Sequence, residues 1–72
     1  MKRYLVTLRA YYPVLHLHSK KRISHYESLI MQEAVTADSP QDAVSFAIDD
    51  LGVANDVKPP KLLTVQEVPY AR

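Results

Sequence analysis

Residues 3–12 alternate between two sets of positions, and one set is entirely apolar or aromatic: Tyr4, Val6, Leu8, Ala10 and Tyr12. A period of two among β-branched and aromatic residues predicts a strand. Residues 23–37 predict a second strand, whose apolar centre is Leu29-Ile30-Met31. Pro13 lies between them and lacks the N–H that a central strand requires, so it marks an edge position or a bulge.

Further along the chain, the hydrophobic period becomes that of an amphipathic helix. Ser39 is the predicted N-cap, Pro40 takes the first helical position, and Asp42 follows three residues after the cap. Gly52, the only glycine of the chain, falls where a left-handed residue ends a helix. Phe46 is expected at the edge of the buried stripe, covering the core. That stripe is predicted to consist of Ala43, Val44, Ala47, Ile48 and Leu51.

After a connection that contains two adjacent prolines, residues 62–68 predict a third strand. We therefore predict a small α+β domain with the order ββαβ over residues 1–72. It has two layers, in which one amphipathic helix over residues 39–51 packs on a three-stranded sheet with a long N-terminal hairpin over 3–37. The third strand is expected beside the first and parallel to it, after a right-handed crossover.

The hairpin is predicted to turn at residues 20–21. In that register Tyr4 faces Ala37, and the apolar positions of the two strands face each other. The same register places His16 directly across from His25. Because this hairpin is longer than the rest of the sheet requires, its far end is expected to project beyond the cover of the helix.

The composition is that of an ordinary soluble globular protein, with 47% apolar and 24% charged residues in a chain of 72. The absence of Cys excludes disulfides and thiolate chemistry and suits a reducing cytoplasm. No run approaches the roughly eighteen apolar residues of a membrane span, and Thr7 and Arg9 interrupt the N-terminal segment too early for a signal peptide. A cytoplasmic location without membrane association is therefore expected.

The net charge of +1 conceals a strong segregation of charge along the chain. Up to residue 25 the chain carries basic residues and no acid, namely Lys2, Arg3, Arg9, Lys20, Lys21 and Arg22. From residue 26 to 56 it carries acids and no Lys or Arg, namely Glu27, Glu33, Asp38, Asp42, Asp49, Asp50 and Asp56. The molecule is thus either electrically two-sided, which bears on its partners, or its two blocks pair across neighbouring strands.

The densest group of special residues is the segment LHLHSKKRIS, residues 15–24, followed by His25. A metal site would use the three imidazoles of His16, His18 and His25, but the neighbouring cations oppose a divalent ion, and we predict no metal and no cofactor. A nucleic-acid-binding tip is the second interpretation. It would consist of His16, His18, Lys20, Lys21, Arg22 and His25. The third interpretation is a solvated polar turn.

The sequence contains no recognisable catalytic constellation. None of its serines lies in a glycine-flanked elbow, and a single glycine cannot build a phosphate-binding loop. Asp49 and Asp50 are adjacent in the predicted helix, so their side chains diverge by about 100° and cannot act as a carboxylate pair. We therefore predict that the protein is not an enzyme.

The remaining interpretation is a small interaction module, a regulator or inhibitor that acts by binding another protein. Phage and mobile-element proteins are often of this type, which is an association by kind rather than by residues. The predicted protein-binding residues are the acidic helix face and the tyrosines, namely Asp42, Asp49, Asp50, Tyr11, Tyr12 and Tyr26. Nucleic-acid binding by the hairpin tip is the alternative, and a sheet edge offers a route to self-association.

Overall fold

The computed structural model has the element order β1 (Lys2–His16), β2 (Ser19–Ala37), α1 (Pro40–Leu51) and β3 (Lys61–Val68). It describes residues 1–16, 19–53 and 58–69, without the side chains of residues 16, 19–22 and 24. The predicted fold class is confirmed, because one helix packs on a three-stranded sheet in a small ββαβ arrangement. In the described part of the chain α1 is the only helix, and its twelve residues are too few to cross a membrane.

The sheet has the strand order β2-β1-β3, and β1 is antiparallel to both of its neighbours. The predicted parallel pairing of the third strand with the first is therefore wrong. A crossover through a helix makes the two strands that the helix connects parallel to each other, and here these strands are β2 and β3. β2 and β3 run in the same direction on either side of β1. Because the hairpin makes β1 antiparallel to β2, β1 is also antiparallel to β3.

The register of the hairpin differs from the predicted one by two residues. Tyr4 pairs with Val35, whereas the predicted register pairs it with Ala37. Both residues are apolar, so the sequence pattern fits either register equally well. Because side chains alternate with a period of two, a slip of two residues leaves every side chain on its predicted face and changes only its partner.

The far end of the hairpin departs from a simple turn. β1 ends at His16 and β2 begins at Ser19, so Lys20 and Lys21 lie within β2 and the predicted turn at residues 20–21 is wrong. The pairing shifts twice, between Val14 and Leu15 and between Leu15 and His16. These irregularities follow Pro13, which itself stays in register with its partner on β2.

The core lies between α1 and the half of the sheet nearest the chain termini. The sheet contributes Tyr4, Val6, Leu8, Val35 and Ala37, each less than 10% exposed. The helix contributes Ala43 and Ala47, with Val44, Ile48 and Leu51 packed around them, which confirms the predicted stripe. Small residues at the centre of the stripe let the helix approach the sheet closely.

Both ends of α1 form as their sequences predict. The Asp42 N–H donates to Ser39 Oγ at 3.2 Å, and Pro40 opens the helix. Gly52 ends it with φ 65°, and its N–H donates to the carbonyls of Ile48 and Asp49. Phe46, in contrast, is 47% exposed, so its predicted cover of the core is wrong. It lies about 100° around the helix axis from buried Ala47, on the outer face.

The molecule is elongated, with principal extents of 53 × 19 × 16 Å. β3 pairs with β1 only from Arg3 to Arg9, and the residues of β1 that are buried under the helix end at Ala10. Past Arg9, where the pairing with β3 ends, β1 and β2 continue as a two-stranded ribbon, which we call the hairpin arm (residues 10–16 and 19–29). The expected projection beyond the helix is confirmed, and Pro13 falls on a β1 edge that lacks a described partner strand.

The two faces of the sheet can be assigned residue by residue. Even-numbered positions of β1 up to residue 14 lie on the side covered by α1, the helix face, and odd-numbered positions up to residue 13 lie on the other side, the open face. Paired side chains across β1 and β2 agree with this assignment. The Tyr12 hydroxyl donates to Glu27 Oε2 at 3.3 Å on the helix face, and Gln32 Nε2 donates to Thr7 Oγ1 at 3.0 Å on the open face.

Candidate binding surfaces

An open groove of about 350 Å³ lies where α1 ends and the hairpin arm begins; we call it the arm groove. The sheet supplies its lining from neighbouring positions of β1 and β2, and the segment directly after α1 supplies Gly52 and Val53. The groove exists because α1 stops at its glycine cap while the ribbon beneath continues. The strand residues that line it are Ala10, Tyr11, Tyr12, Pro13, Leu29 and Met31, of which Tyr11 and Pro13 have their side chains on the opposite face.

The helix face of the arm is apolar at the groove and charged further out. Leu29 is 53% exposed and Tyr12 is 46% exposed, although both lie in phase with the buried core positions. Glu27 pairs with Tyr12, and one of its carboxylate oxygens lies 3.8 Å from His25 Nε2. The groove is therefore an apolar surface bordered by a carboxylate on its outer side.

The acidic residues of the helix point in two directions. Asp42 and Asp49 are exposed and seven residues apart, which places them on nearly the same outer face of α1. Asp50 faces β2, where it lies beside the carboxyl group of Glu33. Burial raises the pKa of Glu33, and the neighbouring carboxylate of Asp50 raises it further.

Glu33 is a site residue that the sequence prediction missed. Its Oε2 atom is buried and has no hydrogen-bond partner among the described residues. A signal for it was present, because Glu33 is in phase with Val35 and Ala37 and therefore belongs to the helix face. Its proximity to Asp50 depends on how the helix lies across the sheet, which the sequence does not specify.

The predicted protein-binding residues do not form one surface. Tyr12 lies on the helix face at the arm groove, with Asp49 and Asp50 in the last turn of the helix that ends there. Tyr11 and Tyr26 belong to the opposite, open face, because Tyr11 pairs with Ser28 and Tyr26 pairs with Pro13. The structure thus separates the tyrosines between two sides of the sheet.

The histidine-rich tip is not assembled as predicted. His25 pairs with Val14 and His16 pairs with Ser19, so the predicted cross-strand pair of His16 and His25 is wrong. The two register shifts near the end of β1 separate the two positions. The side chains of His16, Lys20, Lys21 and Arg22 and the whole of His18 lie outside the described residues. Within the part that is described, no three His, Asp or Glu side chains gather as metal ligands.

Comparison with protein-family models, with curated proteins and with solved structures finds no match to this chain.

Proposed function

We propose that this protein is a small non-enzymatic module that binds another protein through the arm groove, as a regulator or inhibitor. The observation that supports this most directly is the exposure of Tyr12 and Leu29, which are 46% and 53% exposed where the helix ends. Together with Met31 and Val53 they line an open, largely apolar groove. Interfaces are commonly centred on such aromatic and aliphatic anchors in a pocket.

The charge around the groove indicates the chemistry of the partner. Asp49 and Asp50 lie in the last turn of α1, which contains no basic residue, and Glu27 borders the groove on the arm. The C-terminal end of a helix adds a partial negative charge of its own. We therefore expect a partner segment with an apolar side chain for the groove and Lys or Arg on either side of it.

The open shape of the groove and the composition of the chain bear on how and where the protein would act. A module of 72 residues would act by occupying a surface of a larger protein, since its groove is open rather than enclosed. The cysteine-free composition fits a reducing compartment, and we propose the cytoplasm.

The test uses two adjacent residues that point to opposite faces of the sheet. Leu29→Glu places a carboxylate in the arm groove, whereas Ile30→Glu, at a residue that is 58% exposed, places one on the open face. Each variant and the unmodified protein are immobilised, incubated with nuclease-treated extract of the source cells, and compared by quantitative mass spectrometry. Proteins retained by the unmodified and Ile30→Glu forms but lost with Leu29→Glu are the expected result.

A protein selected in this way is then produced and its affinity measured by calorimetry. Leu29→Glu should weaken binding by at least about tenfold, as expected for a central interface residue. Replacement of Asp49 and Asp50 by Asn should also weaken binding of the partner and reduce the salt dependence of this binding. Equal loss with Leu29→Glu and Ile30→Glu, or no protein that distinguishes them, would contradict the proposal.

A further inference from the structure

The open face of the sheet is basic, and the acidic residues of the described strands lie on the other side. Arg3 and Arg9 occupy odd-numbered positions of β1, and Lys61 pairs with Arg9 from β3. The acidic strand residues pair with helix-face positions, since Glu27, Glu33 and Glu67 face Tyr12, Val6 and Tyr4. The charge segregation that the sequence shows along the chain is thus also a segregation between two faces.

The open face also carries two tyrosines side by side. Tyr11 and Tyr26 are diagonal neighbours on β1 and β2, because the cross-strand partner of Tyr11 is Ser28. Diagonal neighbours lie roughly 7–8 Å apart, close enough for two aromatic side chains to form one surface. Both residues are half-buried, and Lys58 Nζ lies 4.9 Å from the centre of the Tyr11 ring, which adds a positive charge there.

We propose that the open face of the sheet binds single-stranded nucleic acid, independently of the arm groove. Arg3, Arg9 and Lys61 would contact backbone phosphates, and Tyr11 and Tyr26 would stack on bases. Arg3 and Arg9 are six residues apart along β1, which corresponds to about 20 Å of strand and lets several phosphates be contacted in a row.

The chemistry of this face favours a single strand over other polyanions. A base can stack on a tyrosine only when it is not enclosed in a duplex, and the part of the sheet that carries Arg3, Arg9 and Lys61 has three strands, too broad for the major groove of double-stranded DNA. An acidic peptide would use the positive charges but would gain nothing from two neighbouring aromatic rings. The acidic outer face of α1 lies in the other layer of the fold, and screening at physiological salt weakens its repulsion of a nucleic-acid strand on the open face.

The experiment measures fluorescence anisotropy of a labelled 12-nucleotide oligothymidylate against the full-length protein over a range of salt concentrations. Three phosphate contacts predict a slope of log K against log salt of about −2. Lys61→Gln, at an exposed position, should reduce the magnitude of this slope by about 0.7. Tyr26→Ala should weaken binding about 5-fold to 150-fold through the loss of one stacked base.

Matched controls separate this face from the rest of the molecule. Tyr12→Ala removes a tyrosine of the helix face and should leave the affinity unchanged, and Leu29→Glu should do the same. Ile30→Glu, in contrast, places a carboxylate opposite Arg9 and should weaken binding at least about tenfold. Circular dichroism and thermal unfolding of each variant establish that it is folded.

Several results would overturn the proposal. They are an absence of oligothymidylate binding at low salt, equal losses with Tyr12→Ala and Tyr26→Ala, tighter binding of duplex DNA, and equal binding of a 12-residue polyglutamate. The last result would identify an acidic-peptide site. If replacement of Lys20, Lys21 and Arg22 by Ala abolished binding while Lys61→Gln and Tyr26→Ala had no effect, the site would be the hairpin tip. None of these outcomes depends on whether the arm groove binds a protein.

Discussion

Among the described residues, Glu33 is the one whose surroundings clearly oppose its charge. It lies on the helix face of β2, where burial and the neighbouring Asp50 both raise the pKa of its carboxyl group. The folded state therefore binds the Glu33 proton more tightly than the unfolded chain does. This contribution stabilises the fold at low pH and is lost as the pH rises through the raised pKa, so at neutral pH the charged form is destabilising.

Glu33→Gln is accordingly expected to stabilise the protein at neutral pH. The amide keeps the size of the side chain and removes the charge that burial and Asp50 oppose. We expect a gain of a few tenths to about 1 kcal/mol at pH 7, the range typical of partly exposed charge interactions. At pH 4, where both forms are mostly neutral at this position, the gain should shrink. Urea unfolding of both proteins at the two pH values measures it.

Glu27→Gln provides the matched control, since Glu27 lies on the same strand and face but accepts a hydrogen bond from Tyr12. This substitution should not stabilise the protein at pH 7. A loss of stability with Glu33→Gln, or a gain that is the same at both pH values, would show that the carboxyl group of Glu33 is not under the electrostatic stress described above.

The sequence predicts features that depend on neighbouring residues better than features that depend on distant ones. Both ends of α1 follow their sequence signals, because the Ser39 cap and the Gly52 cap involve partners three or four residues away. The register of the hairpin depends instead on residues some thirty positions apart. Since Val35 and Ala37 are both apolar, the pattern cannot decide which of them faces Tyr4.

The candidate sites divide in the same way into features that follow from local pattern and features that do not. Alternation places Tyr12 and Leu29 on one face and Tyr11 and Tyr26 on the other in either register, so the faces follow from the sequence. The arm groove does not, because it requires the position of Gly52 over the sheet. Alternation also does not predict the pairing at the far end of the hairpin, because the register shifts on both sides of Leu15 are local distortions of the strand.

At the scale of elements, the hairpin arm and the body of the fold are expected to be energetically separable. All of the buried residues that form the core cluster lie outside residues 12–27. We therefore expect a variant in which Asn-Gly replaces residues 12–27 to fold, because this dipeptide closes a tight turn between the paired residues Tyr11 and Ser28. Its stability should change by less than about 1 kcal/mol, since an isolated two-stranded ribbon is itself only marginally stable.

Denaturant unfolding followed by circular dichroism measures this change. Leu8→Ala in the full-length chain is the contrast, because Leu8 is only 1% exposed and its truncation should cost about 2–5 kcal/mol. Loss of cooperative unfolding in the shortened variant would show that the arm takes part in the core. Hydrogen exchange of the intact protein should agree, with faster exchange in residues 11–16 and 19–28 than in residues 4–8.

At the scale of the whole molecule, both the shape and the distribution of charge follow from a helix that covers only part of one side of the sheet. A helix of twelve residues is about 18 Å long, whereas the central strand of fifteen residues is about 50 Å long, so one part of the sheet has two layers and the other has one. Acidic residues gather on the side of the helix, and Arg3, Arg9 and Lys61 lie on the open side. The two proposed surfaces therefore lie on opposite faces and can be occupied at the same time.

The elongated shape of the molecule is expected to persist in solution. The radius of gyration is 15.1 Å, whereas a compact domain of 72 residues would have about 11 Å. Small-angle X-ray scattering should give about 15 Å and a longest dimension near 53 Å, with light scattering showing the mass of one chain. A value near 11 Å would mean that the arm folds back over Leu29 or Ile30. Twice the mass would show self-association, for which the outer edge of β2, unpaired in the described structure, is the expected route.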